Sequence, residues 1–531
     1  MMKYNLILLF LACSSALMAQ APREASAEDV REEYAATITP EDMYRHLSYL
    51  ASDELQGRET GEPGLDLAAA YLADQLAALG YPAVGEDDGY FQSIAFQRQR
   101  WDKMELTVAG EDLRHGFDFY SDPLTNQPLP RVDIEELIFL GYGIDDDNYS
   151  DYEGQDVRGK DILIFGGEPQ DDDGNYLSTG TSEPGIWAED TDAKLKAAHA
   201  NGARLVFVVD PNFRDNLAEV RRRVINARGM QMVDALAAQE QRANSIFIST
   251  DLARRLLGRT FRKVVKARKK IVKKRRPFAV TIPVDVRVSQ MPDQRSLRGV
   301  NVLGYLEGSD PELKDELLVV SAHFDHIGMR GDVVFNGADD NGSGTTTVLE
   351  LAQAFMEAKR NGHGPRRSIA FMWVSGEEKG LLGSKYYVNH PIFPLEQTIA
   401  NINIDMVGRV DEKHEDNPEY IYVIGSNRLS TDLHDINEAA NAEYTQLELD
   451  YTYNAEDDPN RFYYRSDHYN FAERGIPAIF FFNGTHDDYH QATDTVEKIN
   501  FDKMSKIGQL VFHLAWDLTN RDERIRVNVG Q

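Results

Sequence analysis

The chain has 531 residues, a formal net charge of −30 and one cysteine, Cys13. A single core rarely serves a chain this long, so several domains are expected, and 42% hydrophobic with 10% aromatic residues excludes global disorder. The 87 acids against 57 bases argue against nucleic acid as a partner, and a lone cysteine excludes a disulfide framework or a zinc site of several thiolates, leaving His, Asp and Glu as metal ligands.

Residues 1–19 read as a signal peptide. Lys3 supplies the positive end, and Leu6 to Ala19 is apolar except for Ser14 and Ser15, too short to span a bilayer. Export to the periplasm or the exterior follows. Lipoprotein anchoring at Cys13 is a minor alternative, because Leu11 stands where a lipobox prefers a small residue. No later apolar run is long enough for a transmembrane anchor. Residues 20–37 are polar and Ala/Glu-rich and read as a loose leader.

Residues 38–130 are assigned to the N-terminal part of the main domain. They open with two amphipathic helices, one from Pro40 with Met43, Leu47 and Leu50 on a face, the other from Leu65 to Leu79, joined by the loop QGRETGEPG. Residues 131–292 change texture. Strand-like Glu136–Leu140, Asp161–Phe165 and Arg204–Val209 alternate with loops, and a helix from Lys194 to Ala200 stops at Asn201-Gly202. This predicts a separate α+β domain. Within it, residues 254–276 hold 13 Lys or Arg and no acid. A solvated helix facing this protein's own acidic surface is the preferred reading, with weak contact to an anionic envelope surface as the alternative. Asp171-Asp-Asp-Gly174 lacks the rest of a calcium loop and reads as a solvated turn.

Residues 293–531 carry continuous apolar runs at Leu317–Ser321, Ile369–Val374 and Pro477–Phe482, and a more alternating but still apolar stretch at Ile399–Ile404, with a helix from Thr345 to Met356 between the first two. Runs without alternation predict strands covered on both faces, hence an α/β fold with a helix-sandwiched, mixed but mostly parallel sheet. Polar clusters follow these strands: His323-Phe-Asp325, Ser375-Gly376-Glu377-Glu378, Asp405, and a loop with Tyr489-His490. The acidic loop from Gly337 to Gly344 precedes the helix. Ligands of open α/β sheets collect beyond the carboxyl ends of strands, and two His with several carboxylates suit divalent zinc.

The ordered set His323-Phe-Asp325, Gly337-Ala-Asp339-Asp340, Gly376-Glu377-Glu378, Asn403-Ile-Asp405 and Tyr489-His490 resembles the dizinc aminopeptidases of metallopeptidase family twenty-eight, as do Gly380–Ser384 and Ser466-Asp467-His468. The resemblance implies the zinc exopeptidase fold and two Zn²⁺ per chain, with cobalt or manganese as alternatives. His323 and Asp405 would hold one ion, Glu378 and His490 the other, and Asp339 would bridge both. Glu377 would act as general base on a metal-bridged water, Tyr463 would stabilise the oxyanion, and Asp325, Asp340, Ser466 and Asp467 would lie around the ligands. A cis peptide would follow the bridging residue, at Asp339-Asp340. The 131–292 insertion resembles a protease-associated domain in Gly141–Ile144, the stretch from Tyr152 to Lys160, and Gly202-Ala203. The implied function is a secreted zinc-dependent exopeptidase acting on peptides, foremost an aminopeptidase. A carboxypeptidase or dipeptidase on the same scaffold is the alternative, followed by a glutaminyl cyclase or an inactive receptor-like protein.

Overall fold

The computed structural model describes residues 27–221, 230–234 and 241–529. The segment 1–19, expected to be a signal peptide, and Cys13 within it lie outside the described residues.

The apolar runs form the strands Leu317–His323, Ser368–Val374, Thr398–Ile404 and Ala478–Phe482, buried along their whole length. They pair in parallel in the order Ala478–Phe482, Thr398–Ile404, Leu317–His323, Ser368–Val374. Side chains alternate between two apolar layers. Leu318, Val320 and Ala322 join the core built with the helices Gly344–Arg360 and Phe501–Asn520, while Leu317 and Val319 pack with Tyr387 and Phe471 on the other face. Each fully buried Val, Leu, Ile or Phe contributes about 1.5–3 kcal/mol of transfer free energy, so both layers hold the strand ends firmly. All four strands run the same way, which gathers residues 323–326, 375–378, 405–406 and 483–490 at one edge.

The predicted helices are present at Pro40–Leu50 and Pro63–Ala78. The first is started by Thr39, whose hydroxyl accepts the Asp42 N–H, with Pro40 in the first turn where its missing donor costs nothing. The loose-leader reading of residues 20–37 is corrected over its described part. Ala27–Ala35 is a helix with Val30, Tyr34 and Ala35 buried, and Tyr34 stacks on Trp516 with centroids 6.3 Å apart. This helix packs against both Gly344–Arg360 and the C-terminal helix Phe501–Asn520, which the local composition does not reveal.

Two long strands unmarked by the apolar pattern, Phe91–Val108 and Val280–Leu306, pair antiparallel from Phe91↔Val302 to Val108↔Val286. They carry the sheet out of the first unit, and Val280–Leu306 pairs with Leu129–Phe139, beyond which come Asp161–Phe165, Leu205–Val209 and Asn244–Ile248. A second core forms there, drawing Leu106, Val108, Leu113 and Phe119 together with residues from Ile134 to Val288. The basic stretch folds as the helices Thr250–Leu257 and Phe261–Lys274, with Val264, Ala267 and Ile271 buried. Arg255 pairs with Glu111 and Arg275 with Asp171, while Arg268 lies over the Phe165 ring at 3.9 Å. The second unit also reaches back. Met230–Met232 pairs with the strand at Phe96–Arg98 and packs with Phe96 and Leu382, beside the turn bearing Glu377 and Glu378. Among the described residues no helix is long and apolar enough to cross a membrane.

Candidate metal centre

Two groups of metal-competent side chains lie at the carboxyl edge: His323, Glu377 and Asp405, and His326, Asp340 and Glu378. His323 ends its strand, fully buried. Its Nδ1 lies 3.1 Å from the Asp325 carbonyl oxygen, which can only accept, so Nδ1 carries the proton and Nε2 presents its lone pair. That atom faces Asp405 Oδ1 at 3.2 Å, Asp340 Oδ1 at 3.5 Å and Glu377 Oε2 at 3.9 Å. The Asp325 carboxylate stands 3.7 Å from His323 Nδ1, beyond hydrogen-bonding reach. It accepts instead from Thr60 Oγ1 at 2.7 Å and the Glu377 N–H at 3.2 Å. Asp325 therefore orients the imidazole through its backbone and the Glu377 turn through its side chain.

The aspartate brought between the two groups is Asp340 and not Asp339, the residue expected there from the sequence. Asp340 turns Oδ1 toward His323 and Oδ2 toward His490 Nε2 at 3.0 Å, one oxygen for each group. Asp339 faces away: Oδ1 accepts the Gly408 N–H at 2.7 Å and Oδ2 pairs with His486 Nε2 at 3.1 Å. Both backbone N–H groups donate to Asp494, whose own acid is pushed up to about 6 by burial and by the Asp339 charge. Two adjacent aspartates in an irregular turn leave in opposite directions, and their order alone does not say which enters the site. The cis peptide is at Asp340-Asn341, not Asp339-Asp340. Gly337 enters this turn at φ 57°, where a Cβ would fall 2.2 Å from the Asp340 oxygen and 2.5 Å from the His326 ring.

Glu378 Oε1 lies 2.9 Å from His326 Nδ1 and 3.3 Å from His490 Nε2. Burial opposes its ionisation, but the two imidazoles outweigh that and hold it well below the usual carboxylate range. Glu377 is pushed the other way, upward, by burial and by Glu378, Asp405 and Asp467 despite His323. Asp405 keeps Oδ1 toward His323 while Oδ2 accepts from Ser466 Oγ at 2.7 Å, and Ser466 accepts in turn from Asn403 Nδ2 at 2.8 Å. Asp467 accepts from Ser384 at 2.5 Å and is raised to about 7 by burial.

An adjoining cavity is lined by Met406, Phe462, Phe480 and Phe482 on its apolar side and by Arg465 and Tyr489 on its polar side. Tyr463 is not brought there. The turn Phe462–Tyr464 sends Phe462 inward and leaves Tyr463 under the Arg428 guanidinium, 4.7 Å from its ring centroid. The tyrosine beside the ligands is Tyr489, stacked on His490 at 3.9 Å.

Four residues of the site lie outside the motifs that the sequence singles out: His326, Arg465, Asp494 and Arg58. His326 follows His323-Phe-Asp325 directly, so a signal for it is present locally. Arg58 has none. It is buried behind the site, donating to the carbonyls of Phe324 at 2.8 Å, Asn336 at 2.7 Å and Gly337 at 2.9 Å, and to Leu50. Burial lowers its guanidinium to about 10, while Asp340, Asp494, Asp325 and Glu378 pull the other way. Replacing Arg58 with Met removes the donors shared by the loops at Phe324 and Asn336–Gly337 and is expected to cost about 3–5 kcal/mol, read as a lower midpoint in chemical denaturation; an unchanged midpoint would show that the loops stand without it.

The donors fit zinc. Imidazole and carboxylate are its oxygen–nitrogen ligands, and Glu378 Oε1 and both ring nitrogens of His326, all buried, have no hydrogen-bond partner among the described residues.

Residues 301–515 match the family model described as Peptidase family M28. The chain is 31% identical over 215 residues to the "Probable leucine aminopeptidase" of Arthroderma otae, covering 39% of this chain and 56% of that one. It is 27% identical over 231 residues to "Aminopeptidase YwaD" of Bacillus subtilis, covering 42% and 46%. Thus the chain spans about half the length of the curated relatives it matches. Among solved structures, an aminopeptidase from Aneurinibacillus sp. strain AM-1 shares the fold with a TM-score of 0.54 at 18% identity, over 94% of this chain and 98% of that one.

Proposed function

We propose, from the premise that residues 301–515 belong to peptidase family M28, that this chain is an exported zinc-dependent exopeptidase, foremost an aminopeptidase. The observation that carries the proposal is Asp340 set between two His/carboxylate groups with Glu377 at their edge. His323, Asp405 and Asp340 would hold one ion, and Asp340, Glu378 and His490 the other. Bound zinc supplies Lewis acidity, polarising the scissile carbonyl and lowering the pKa of water.

The chain's own residues do the rest. Glu377, whose carboxyl is displaced upward by burial, takes a proton from the attacking water and passes it to the leaving amine nitrogen. Asp325 holds the Glu377 backbone, and Ser466 fixes the free oxygen of Asp405. Tyr489 and Arg465, on the cavity wall, are the donors available to the oxyanion or to a substrate carbonyl. Met406, Phe462, Phe480 and Phe482 favour an apolar residue beside the scissile bond.

The leader of residues 1–19 supports export. The insertion, read as a protease-associated domain, meets the catalytic unit beside Leu382, a place from which it could narrow access to peptides of limited size.

A carboxypeptidase or dipeptidase is the second reading, and Arg465 on the cavity wall favours it, since a guanidinium recognises a carboxylate in a bidentate manner. Peptides blocked at either end separate the two. An aminopeptidase is expected to cleave amino-terminal leucyl substrates with an amidated carboxyl end and to ignore amino-acetylated ones. A chelator should abolish turnover and added zinc restore it. Cleavage that requires a free carboxylate would establish the second reading, and turnover indifferent to chelator would remove the metallopeptidase reading altogether. Metal content of one ion per chain would favour a cyclase.

A further inference from the structure

We infer that the outward face of the basic helix Phe261–Lys274, on the second unit, is a docking surface for a bilayer of anionic phospholipid, held there by charge and not by insertion into the membrane. The inference is independent of the peptidase reading, since no residue of the stretch 254–276 lines the cavity at the metal centre.

Of the 13 bases in residues 254–276, only Arg254, Arg255 and Arg275 pair with a carboxylate among the described residues, with Asp251, Glu111 and Asp171. Arg268 is turned inward, over the Phe165 ring and donating to the Tyr142 hydroxyl at 3.0 Å. The other nine are exposed. Val264, Ala267 and Ile271 point the helix into the core of the second unit. Arg262, Lys266, Lys269 and Lys273 recur at i, i+4, i+7 and i+11, so they form one exposed stripe away from that core. Lys263, Lys270 and Lys274 form a second stripe beside it. Bases three and four apart on a helix repel one another and weaken it, and no acid in this helix relieves them. Burial of the inner face offsets the cost. The fold therefore tolerates the stripes without drawing stability from them.

The shape of this face selects the kind of anion. A small anion is held by donors that converge, whereas side chains on the outside of a helix diverge. The helix has 14 residues, which makes a row of charge about 20 Å long and matches an extended anionic plane. Nucleic acid, another extended polyanion, is disfavoured by the overall charge of −30. A bilayer is met on one side only, so the acidic remainder of the molecule can face away from it. Val265 and Val272 lie half-buried at the edge of the first stripe, and Val265 with Phe261 floors a groove walled by Arg259, Arg262 and Lys266. Cations around a shallow apolar floor suit a lipid headgroup with the first carbons of its chains. The main apolar face of the helix is taken up by its own core and is not free to enter the membrane. The turn at Asp171–Asp173 borders the other flank, and among the described residues Asp171 alone of the three pairs with a base of the stretch.

Sedimentation with lipid vesicles tests the inference. The chain is expected to bind vesicles containing phosphatidylglycerol at low salt, to ignore pure phosphatidylcholine, and to be released at about 1 M salt, where the screening length falls to about 3 Å. Each base near an anionic surface strengthens adsorption about fivefold. The combined change Arg262→Gln, Lys266→Gln, Lys269→Gln and Lys273→Gln should therefore lower partitioning roughly 100-fold or more. These side chains are exposed and glutamine is a good helix former, so the denaturation midpoint and turnover should stay as in wild type. Wild type itself supplies an independent measurement. Acylation of its lysines, read by mass spectrometry, should slow at Lys266, Lys269 and Lys273 when anionic vesicles are added and stay unchanged at exposed Lys385 of the catalytic unit. Equal binding to both lipids, a glutamine variant that binds as wild type does, or stripe lysines that remain reactive would each overturn the inference. So would vesicles left unbound while the face pairs two copies of the chain in a salt-sensitive dimer that the glutamine variant loses.

Discussion

Glu377→Gln is expected to reduce kcat by about 10²–10⁴-fold, the range lost with a general acid–base group, while the fold and both metal equivalents persist. The side chain is the right one for this outcome because it touches the ligand set without belonging to its tightest contacts. Its Oε2 is 3.9 Å from His323 Nε2, whereas Asp405 reaches 3.2 Å. Its backbone N–H is held by Asp325, a bond that glutamine keeps. The amide is nearly isosteric but cannot carry the proton from water to amine. KM should move little, because the substrate contacts on the cavity wall are unchanged. Steady-state kinetics with metal analysis of the same sample decides the matter: near-wild-type turnover would remove Glu377 from the mechanism, and loss of an ion would make it a ligand.

The second large effect separates two neighbours. Asp340→Asn is expected to lower kcat/KM by about 10³-fold or more and to weaken both metal sites together, since charge stabilisation by bound metal amounts to several kcal/mol and each 1.36 kcal/mol is tenfold. Asp340 alone offers one carboxylate oxygen to each His/carboxylate group. Asp339→Asn is expected to cost no more than about tenfold. Its carbonyl oxygen can still accept the Gly408 N–H, and its amide can still meet His486. Parallel zinc titrations and kinetics of the two variants give the ranking. The reverse order would restore Asp339 as the shared ligand.

Much of the site is legible in the amino-acid sequence. Three continuous apolar runs and one more alternating apolar stretch announce strands covered on both faces, and parallel strands must deliver the polar residues at their carboxyl ends to the same side. The two corrections within the motifs share a cause. Asp339 and Asp340 sit in a turn with no regular side-chain period, as do Phe462 and Tyr463, so local order does not determine which neighbour points inward. Helices and strands have a period from which orientation can be inferred, and such turns have none.

The N-terminal segment shows the complementary limit. Arg58 and Thr60 lie in a glycine-rich loop whose composition says only that it is a loop, yet Arg58 ties Phe324 to Gly337 and Thr60 ties Asp325 to the Gly376 N–H. The long strands Phe91–Val108 and Val280–Leu306 are equally silent, because their burial comes from pairing with each other and not from local hydrophobicity.

By itself the sequence determined the chemistry available: an acidic chain with a single cysteine, hence a His and carboxylate site, and an α/β sheet that gathers those residues at its carboxyl edge. Only the tertiary structure decided which residues occupy the site. That Asp340 and not Asp339 stands between the groups, that His326 joins Glu378, and that a buried arginine far upstream in the chain holds both loops all depend on where backbone carbonyls and side chains meet in space. Residue type limits what a group can bind, but long-range packing fixes the direction in which it points, and coordination and proton transfer are decided by direction.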